Sequence, residues 1–200
     1  MSYPRNVSIL VFDDVEVLDF SGPYEVFNVA AASATPPPFS VFSVGITGEA
    51  ILGRGHFTFT PRYSIENCPQ ADILIVPGGF GTRALLRHEG LIKWISEQAE
   101  KVEWLLSVCT GALLLAKAGL LQNCTATTHH TAFELLRELS PTTVLAEDRR
   151  FVQSSAKIIT SGGISAGIDL ALHMVDKLVG SAVRDSVVEE MEYNWGNGRS

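Results

Sequence analysis

The sequence predicts an α/β layer sandwich built on a mostly parallel β-sheet. Short apolar runs of strand length alternate with helical segments along almost the whole chain. Several of these runs are apolar without interruption, as expected for strands that are buried on both faces of a sheet. Composition shows no shift or linker across the 200 residues, a length that suffices for one well-buried core. We therefore expect residues 1–200 to form one domain.

The amino-terminal segment predicts a strand followed by a helix. Residues 6–12 are apolar and of strand length, and a helix is expected over residues 24–32. The Ser-Gly-Pro sequence at 21–23 is typical of a helix start, which places Asp19 in the first βα loop. Three consecutive prolines at 36–38 end this helix.

The next segment predicts further strands and a glycine-rich loop. Strands are expected at residues 39–44, 50–52, 57–60 and 72–76, the middle two forming an antiparallel excursion. Residues 72–76 lead directly into Pro-Gly-Gly-Phe-Gly, in which Gly78 and Gly79 expose backbone N–H groups above the sheet. A helix is expected over residues 84–100.

The centre of the chain predicts a nucleophile elbow with cysteine in the place of serine. An apolar strand at 102–108 is followed by Cys109 and then by a helix over 110–118 that ends at Gly119. Gly111 lies where a side chain would crowd the sharp turn. The helix N-terminus is expected to favour the thiolate form of Cys109. The alternative is that Cys109 is a small buried hydrophobic residue, as free cysteines often are.

The carboxyl-terminal segment predicts three more strands and three helices. The strands are expected at residues 124–128, 142–146 and 157–160, and the helices at 131–139, 164–179 and 182–193. The first of these strands ends in Thr-Thr-His, which places His129 at the carboxyl end of a strand. Sites in such sheets form where the loops meet at the carboxyl ends of the strands. Asp19, Gly78, Gly79, Cys109, Thr110 and His129 are therefore expected to lie together.

Composition excludes several classes of function. The net charge is −7 with no cluster of Lys or Arg, so neither nucleic acid nor an anionic membrane is an expected partner. Three cysteines without close pairs argue against a disulfide scaffold or a zinc site and fit a reducing compartment. The apolar run near the N-terminus is too short for a signal peptide or a membrane span, so we expect neither. We expect a cytoplasmic protein that acts on a small molecule without a metal or cofactor.

Together these motifs resemble the DJ-1/PfpI superfamily, and within it the isonitrile hydratases. The resemblance spans nearly the whole chain and depends on LDFSGPYEVF, PGGFG, SVCTGALLLA, TTH and TSGGISAGID. It implies a flavodoxin-like three-layer α/β/α sandwich, a homodimer, and addition of water to an isonitrile to give an N-substituted formamide. Cys109 would attack the isonitrile carbon to give a thioimidate, and Asp19 would act as general acid and base.

Two departures from other branches of the superfamily narrow this expectation. PfpI-type proteases have His directly after the nucleophile, where this chain has Thr110, and DJ-1-like members have Glu where this chain has Asp19. Related regulators add a carboxyl-terminal helix-turn-helix domain, which we do not expect in a chain that ends at Ser200.

The roles of the site residues have alternatives at this stage. Asp19 would need a raised pKa to hold a proton, and it would otherwise be a solvated loop residue or a helix cap. Thr110 either positions substrate or water or is only the first residue of its helix. The amides of Gly79 and Thr110 are candidate donors to developing charge. His129 is a candidate base whose participation stays open.

Two other functions compete with isonitrile hydration. One is glyoxalase-type or deglycase chemistry on reactive aldehydes, which uses the same cysteine with Glu and His. The other is a non-enzymatic redox-sensing or ligand-binding module, in which Cys109 is oxidised or binds reversibly.

Overall fold

The computed structural model describes residues 4–195 of the chain. The strands in this part are β1 (Arg5–Val11), β2 (Phe39–Gly45), β3 (Ile51–Gly53), β4 (Phe57–Phe59), β5 (Tyr63–Ser64), β6 (Ile73–Val76), β7 (Trp104–Val108), β8 (Thr125–Ala126), β9 (Val144–Leu145), β10 (Phe151–Gln153) and β11 (Ile158–Ser161). The α-helices are α1 (Val17–Ala32), α2 (Thr82–Leu85), α3 (Glu89–Lys101), α4 (Gly111–Lys117), α5 (Phe133–Leu139), α6 (Ala166–Val179) and α7 (Ser181–Glu190).

The central sheet has seven strands in the order β10-β11-β7-β6-β1-β2-β5. Every neighbouring pair is parallel except β10 with β11, which is antiparallel. The prediction of a mostly parallel sheet is therefore confirmed. Because β11, β7, β6 and β1 are neighbours and run in one direction, the loops that follow them leave the same edge of the sheet.

Helices pack on both faces of this sheet and complete the three-layer sandwich. Helices α1, α6 and α7 contact one another, while α4 contacts α2, α3 and α5. All four residues of β6 are buried, as are the first six of α4. This strand and this helix lie in the middle of the core, which explains why both are apolar without interruption. The predicted flavodoxin-like α/β architecture is confirmed.

The first helix begins earlier than the sequence pattern predicts. Helix α1 starts at Val17, so Pro23 lies inside it and the Ser-Gly-Pro sequence does not mark its start. These small residues face α6 instead: a Cβ on Gly22 would lie 2.9 Å from Ile168 Cγ1, and one on Gly167 would lie 3.3 Å from Pro23 Cγ. The small residues at 21–23 therefore serve close packing between two helices. Because α1 begins at Val17, Asp19 lies in its first turn and not in the predicted loop.

The helix predicted over residues 84–100 is interrupted. It consists of α2 and α3, separated by a turn at residues 86–88. His88 caps the second helix, because its Nδ1 accepts a hydrogen bond from the Leu91 amide at 3.1 Å. The apolar residues keep a helical spacing across residues 86–88, so the sequence does not indicate that the helix is divided there.

The short strands at the periphery also differ from the sequence prediction. The antiparallel excursion is present as β3 and β4, but the strands expected at residues 124–128 and 142–146 contract to β8 and β9. These two pair with each other outside the main sheet. Strands β5 and β10 were not expected, because β5 has two residues and β10 has only two apolar ones. Within residues 4–195 no helix has both the length and the hydrophobicity needed to cross a membrane.

Candidate active site

Cys109 occupies a sharp turn between β7 and α4. Its φ angle is +57°, in the left-handed region that non-glycine residues rarely adopt. The Cys109 amide is held by hydrogen bonds to the carbonyl oxygens of Ser161 and Gly162, each at 3.1 Å. A Cβ on Gly111 would overlap the Val76 carbonyl oxygen, so only glycine fits there. The predicted strand–turn–helix geometry of the elbow is present, and it places Cys109, a residue that is 5% exposed, at the carboxyl edge of the sheet.

Asp19 lies beside this thiol and is completely buried. One carboxylate oxygen, Oδ2, accepts a hydrogen bond from the Gly78 amide at 3.1 Å. The other, Oδ1, has no hydrogen-bond partner among the described residues. Burial raises the pKa of Asp19 from 3.8 to about 7, although interactions with the Cys109 thiol and the Gly78 amide oppose this rise. The carboxyl group is therefore able to hold or release a proton near neutral pH.

The pKa of the Cys109 thiol is raised, which contradicts the predicted preference for thiolate. Burial is the larger cause, and the neighbouring Asp19 carboxylate is the second. The Thr110 amide at the helix N-terminus lowers the pKa but does not outweigh these two effects. Cys109 and Asp19 disfavour a second negative charge on each other, so the resting pair holds a thiol that needs an acceptor for its proton.

The Thr110 hydroxyl is bound to the backbone of the glycine-rich loop. Its Oγ1 accepts a hydrogen bond from the Gly79 amide at 2.9 Å and lies 3.1 Å from the Gly79 carbonyl oxygen. Thr82, which is fully buried, donates to that carbonyl oxygen at 2.8 Å and lies 3.2 Å from Thr110 Oγ1. The Gly79 amide is thus already paired in this structure, and the Thr110 amide is the backbone donor that faces the thiol.

Both glycines of this loop are fixed by close backbone contacts. A Cβ on Gly78 would lie 2.5 Å from the Thr110 amide nitrogen and 2.9 Å from Asp19 Oδ2. Gly79 has φ +135°, and a Cβ there would overlap the carbonyl oxygen of Asp14. The loop therefore approaches Asp19 and the elbow more closely than any residue with a side chain would allow.

His129 approaches Cys109 from the other side. The preceding residue fixes its position, since Thr128 Oγ1 donates to the Cys109 carbonyl oxygen at 2.8 Å. His129 Nδ1 lies 2.8 Å from Thr131 Oγ1 in its own turn, and partial burial, the largest cause, lowers its pKa. Gly163 lies between the two residues, because a Cβ on it would be 2.7 Å from Cys109 Sγ and 2.9 Å from His129 Cδ2.

Gly79, Cys109, Thr110 and His129 line a cleft of about 370 Å³, within the range of small-molecule sites, whereas Asp19 and Gly78 are not among its lining residues. The lining also includes residues that the sequence reasoning missed, namely Glu16, Arg54, Phe80, Arg83, Thr131 and Ile164. Phe80 and Arg83 come shortly after Gly78 and Gly79, and Ile164 follows Gly163 directly. Their closeness in sequence to these glycines could have identified them as residues of the site. Arg54 comes from the turn between β3 and β4, where nothing in the sequence marks a site.

The structure thus brings all the predicted site residues to one edge of the sheet, and their chemical roles remain predictions. Among residues 4–195, no three His, Cys, Asp or Glu side chains lie together as a metal site would require. The geometry combines a buried thiol, a buried carboxyl group with a pKa near neutrality, and an accessible cleft above them. Such a pair can add a thiol to an electrophilic carbon and transfer a proton in the same step.

Comparison with known proteins gives both sequence and structural relatives. The model of the DJ-1/PfpI family matches residues 5–177. An isonitrile hydratase from Pseudomonas putida is 36% identical over 187 residues, which are 94% of this chain and 78% of that protein. The HTH-type transcriptional regulator GbdR from Pseudomonas aeruginosa is 24% identical over 95% of this chain, but the match spans only 51% of the regulator.

Solved structures support the same fold. A ThiJ/PfpI family protein from Pseudomonas syringae has a TM-score of 0.85 with 24% identity, covering 99% of this chain and 80% of that one. DJ-1beta from Drosophila melanogaster has a TM-score of 0.84 with 18% identity, and the match covers 96% of this chain and 100% of that one. At these identities the likeness concerns the fold alone.

Proposed function

Because the chain belongs to the DJ-1/PfpI family, we propose that it is an enzyme that hydrates isonitriles to N-substituted formamides. The relative named isonitrile hydratase supports this choice of reaction. Thr110 after the nucleophile and Asp19 in the first segment also favour it over the protease and DJ-1-like branches. We further propose, from the family resemblance, a homodimer in the cytoplasm.

The observation that carries the proposal is the buried pair of Asp19 and Cys109. An isonitrile has a terminal carbon that accepts a soft nucleophile and then needs a proton on that same carbon. A carboxyl group with a pKa of about 7 beside the thiol is suited to take one proton and return it. The unpartnered oxygen of Asp19 is free for this transfer.

In the first half of the proposed reaction, Cys109 Sγ forms a bond to the isonitrile carbon. The thiol proton passes to ionised Asp19 as the bond forms, and Asp19 then delivers it to the same carbon. The product is a thioimidate, R–N=CH–S–Cys, in which the S–H bond has been added across one carbon atom. Transfer during bond formation avoids a free thiolate, which burial makes unfavourable.

In the second half, ionised Asp19 takes a proton from water while the oxygen attacks the thioimidate carbon. Asp19 then gives this proton to the nitrogen of the substrate and is ionised again, which yields a tetrahedral adduct, R–NH–CH(OH)–S–Cys. The carbon–sulfur bond then breaks, the hydroxyl proton returns through Asp19 to sulfur, and the formamide R–NH–CHO leaves. Cys109 is regenerated as a thiol, and one water has been consumed.

Turnover of cyclohexyl isonitrile tests this proposal, with formamide detected by chromatography and mass. Wild type should form N-cyclohexylformamide, whereas Cys109→Ala should have no activity above background. Asp19→Asn should lose at least about 100-fold in kcat, because a general acid–base contribution of that size is removed. Cys124→Ala changes a partly buried thiol outside the cleft and should keep wild-type activity.

Other outcomes point to the competing functions. Consumption of methylglyoxal that depends on Cys109, without isonitrile turnover, would favour aldehyde chemistry. If wild type turns over neither substrate, the enzymatic proposal is wrong and a sensing or binding module is favoured. The sensing or binding alternative is worth testing because some relatives are named transcriptional regulators.

A further inference from the structure

The charges around the cleft do not balance. Glu16, Arg54 and Arg83 all line it. Arg54 Nη1 pairs with Glu16 Oε2 at 2.7 Å, so these two charges offset each other. Arg83 is exposed, and no carboxylate lies within ion-pair distance of it among residues 4–195. Among the described residues, Arg83 is therefore a cation at the cleft without an ion-pair partner.

Phe80 lies beside this cation in the lining of the cleft. Its ring is 57% exposed, with the Arg54 guanidinium 4.5 Å and the Arg83 guanidinium 5.9 Å from the ring centroid. Such contacts hold a guanidinium against an aromatic face while leaving its N–H donors free. Arg83 also lies close enough to His129 to contribute to lowering the pKa of that imidazole. Its positive field thus extends into the cleft that contains Cys109.

We propose that Arg83 is a specificity residue that binds an anionic group of the substrate, so that the preferred substrates are isonitriles bearing a carboxylate. The inference rests on the proposed isonitrile hydration. A guanidinium binds a carboxylate through two parallel hydrogen bonds, which gives orientation as well as affinity. Glu16 does not oppose this binding, because its charge is paired with Arg54. A neutral isonitrile would leave Arg83 without a partner.

Matched substrates that differ in charge test the assignment. Isocyanoacetate and 3-isocyanopropanoate are compared with their ethyl esters in wild type, Arg83→Gln and Arg87→Gln. Wild type should have a kcat/KM about 10-fold higher for at least one carboxylate than for its ester, the size expected of one partly exposed charged contact. Arg83→Gln should abolish that preference, because it should lower kcat/KM for the carboxylate far more than kcat/KM for the ester. Arg87→Gln removes an exposed arginine that does not line the cleft and should behave as wild type.

Salt and product binding separate this inference from the proposed reaction. Added salt should reduce the carboxylate preference, because an exposed pair is screened. N-Formylglycine should bind wild type more tightly than its ethyl ester in calorimetry, and Arg83→Gln should remove the difference. Equal turnover and equal binding of acid and ester by wild type would overturn the role of Arg83. In a further outcome, wild type binds the acid more tightly than the ester, through Arg83, and yet turns over no isonitrile. That result would contradict the hydratase proposal but support an anion-binding site at Arg83.

Discussion

On one side of Cys109 lies a carboxyl group that is entirely buried, and on the other lies an imidazole that is partly exposed. Asp19 has one backbone hydrogen bond, from Gly78, and one oxygen without a partner among the described residues. His129 is bonded within its own turn to Thr131. The two groups are candidates for the same task, since each is able to carry a proton to or from the thiol.

The difference shows how burial assigns that task. Burial raises the pKa of a carboxylic acid and lowers that of an imidazole, because in both cases the charged form is disfavoured. For Asp19 this moves the pKa to about 7, where both protonation states are available. For His129 burial lowers the pKa, which favours the neutral ring. In the proposed mechanism, Asp19 therefore carries the proton and His129 lines the cleft.

The largest effect is expected on stability, from removing the buried carboxyl group. The pKa of Asp19 in the folded protein is raised, so the folded state holds a proton that the unfolded state releases between pH 3.8 and about 7. The free energy of unfolding of wild type should therefore fall across this window and level off above pH 7. At about 1.4 kcal/mol for each pKa unit, the loss is up to about 4 kcal/mol. Asp19→Asn should lack this loss and be more stable than wild type at pH 8.

Urea unfolding at pH 4, 6 and 8 measures this difference. The exposed Asp148→Asn removes a carboxyl group without removing a buried one, and its stability should follow wild type at all three values. If Asp19→Asn showed the same dependence on pH as wild type, the buried carboxyl group would not be the one that titrates. The comparison between the two sides of Cys109 would then lose its basis.

A smaller effect is expected from loosening the Asp19 side without touching the carboxyl group. Thr110→Val keeps the shape but removes the acceptor of the Gly79 amide, which leaves a buried donor unpaired. We expect a loss of about 1–3 kcal/mol in stability and about 10-fold in kcat, because the loop beside Asp19 shifts. Thr110→Ser retains the hydroxyl and should keep most of both. Thermal unfolding measures the loss of stability, and isonitrile turnover measures the loss of kcat. A fully active Thr110→Val would show that the hydroxyl does not position this loop.

The smallest effect is expected on the other side of the thiol. His129→Gln should lower kcat by less than about 10-fold, below the range of a general acid–base contribution. His130→Gln changes the exposed neighbour in the same turn and serves as the matched control. A loss above 100-fold in His129→Gln alone, measured by turnover from pH 5 to 9, would reverse the assignment and make the imidazole the proton carrier.

The sequence predicted those parts of the fold and site that depend on contacts near in the chain. The elbow was predictable because Gly111 follows Cys109 at the spacing that a strand-to-helix turn requires. The meeting of Asp19 and Gly78 was predictable because β1 and β6 are parallel neighbours, so the segments that follow them leave one edge of the sheet. Both inferences need only the order of the elements and the direction of the strands. The strand before His129 lies outside this sheet, and a hydrogen bond from Thr128 to the Cys109 carbonyl oxygen holds that segment at the site instead.

The parts that were wrong or missed depend on distant contacts. Asp19 lies in the first turn of α1, in which Gly22 approaches Ile168 closely, and no local pattern distinguishes such packing from a helix start. The thiol pKa was predicted in the wrong direction because a local argument from the helix N-terminus omitted burial and the Asp19 carboxylate. Arg54 reaches the cleft through the turn that follows β3, and its pairing with Glu16 has no counterpart in sequence spacing.

The close approach of the glycine loop to the main chain has a consequence for evolution and engineering. The obstacles to a side chain at Gly111 and Gly79 are carbonyl oxygens, Val76 and Asp14 respectively, so no second mutation can trim the obstacle away. The rim residues Phe80 and Arg83 are exposed and free to vary without disturbing the sheet. A mutant library that aims at new substrates should therefore vary Phe80 and Arg83 and keep the glycines, because the fold tolerates substitution at the exposed positions.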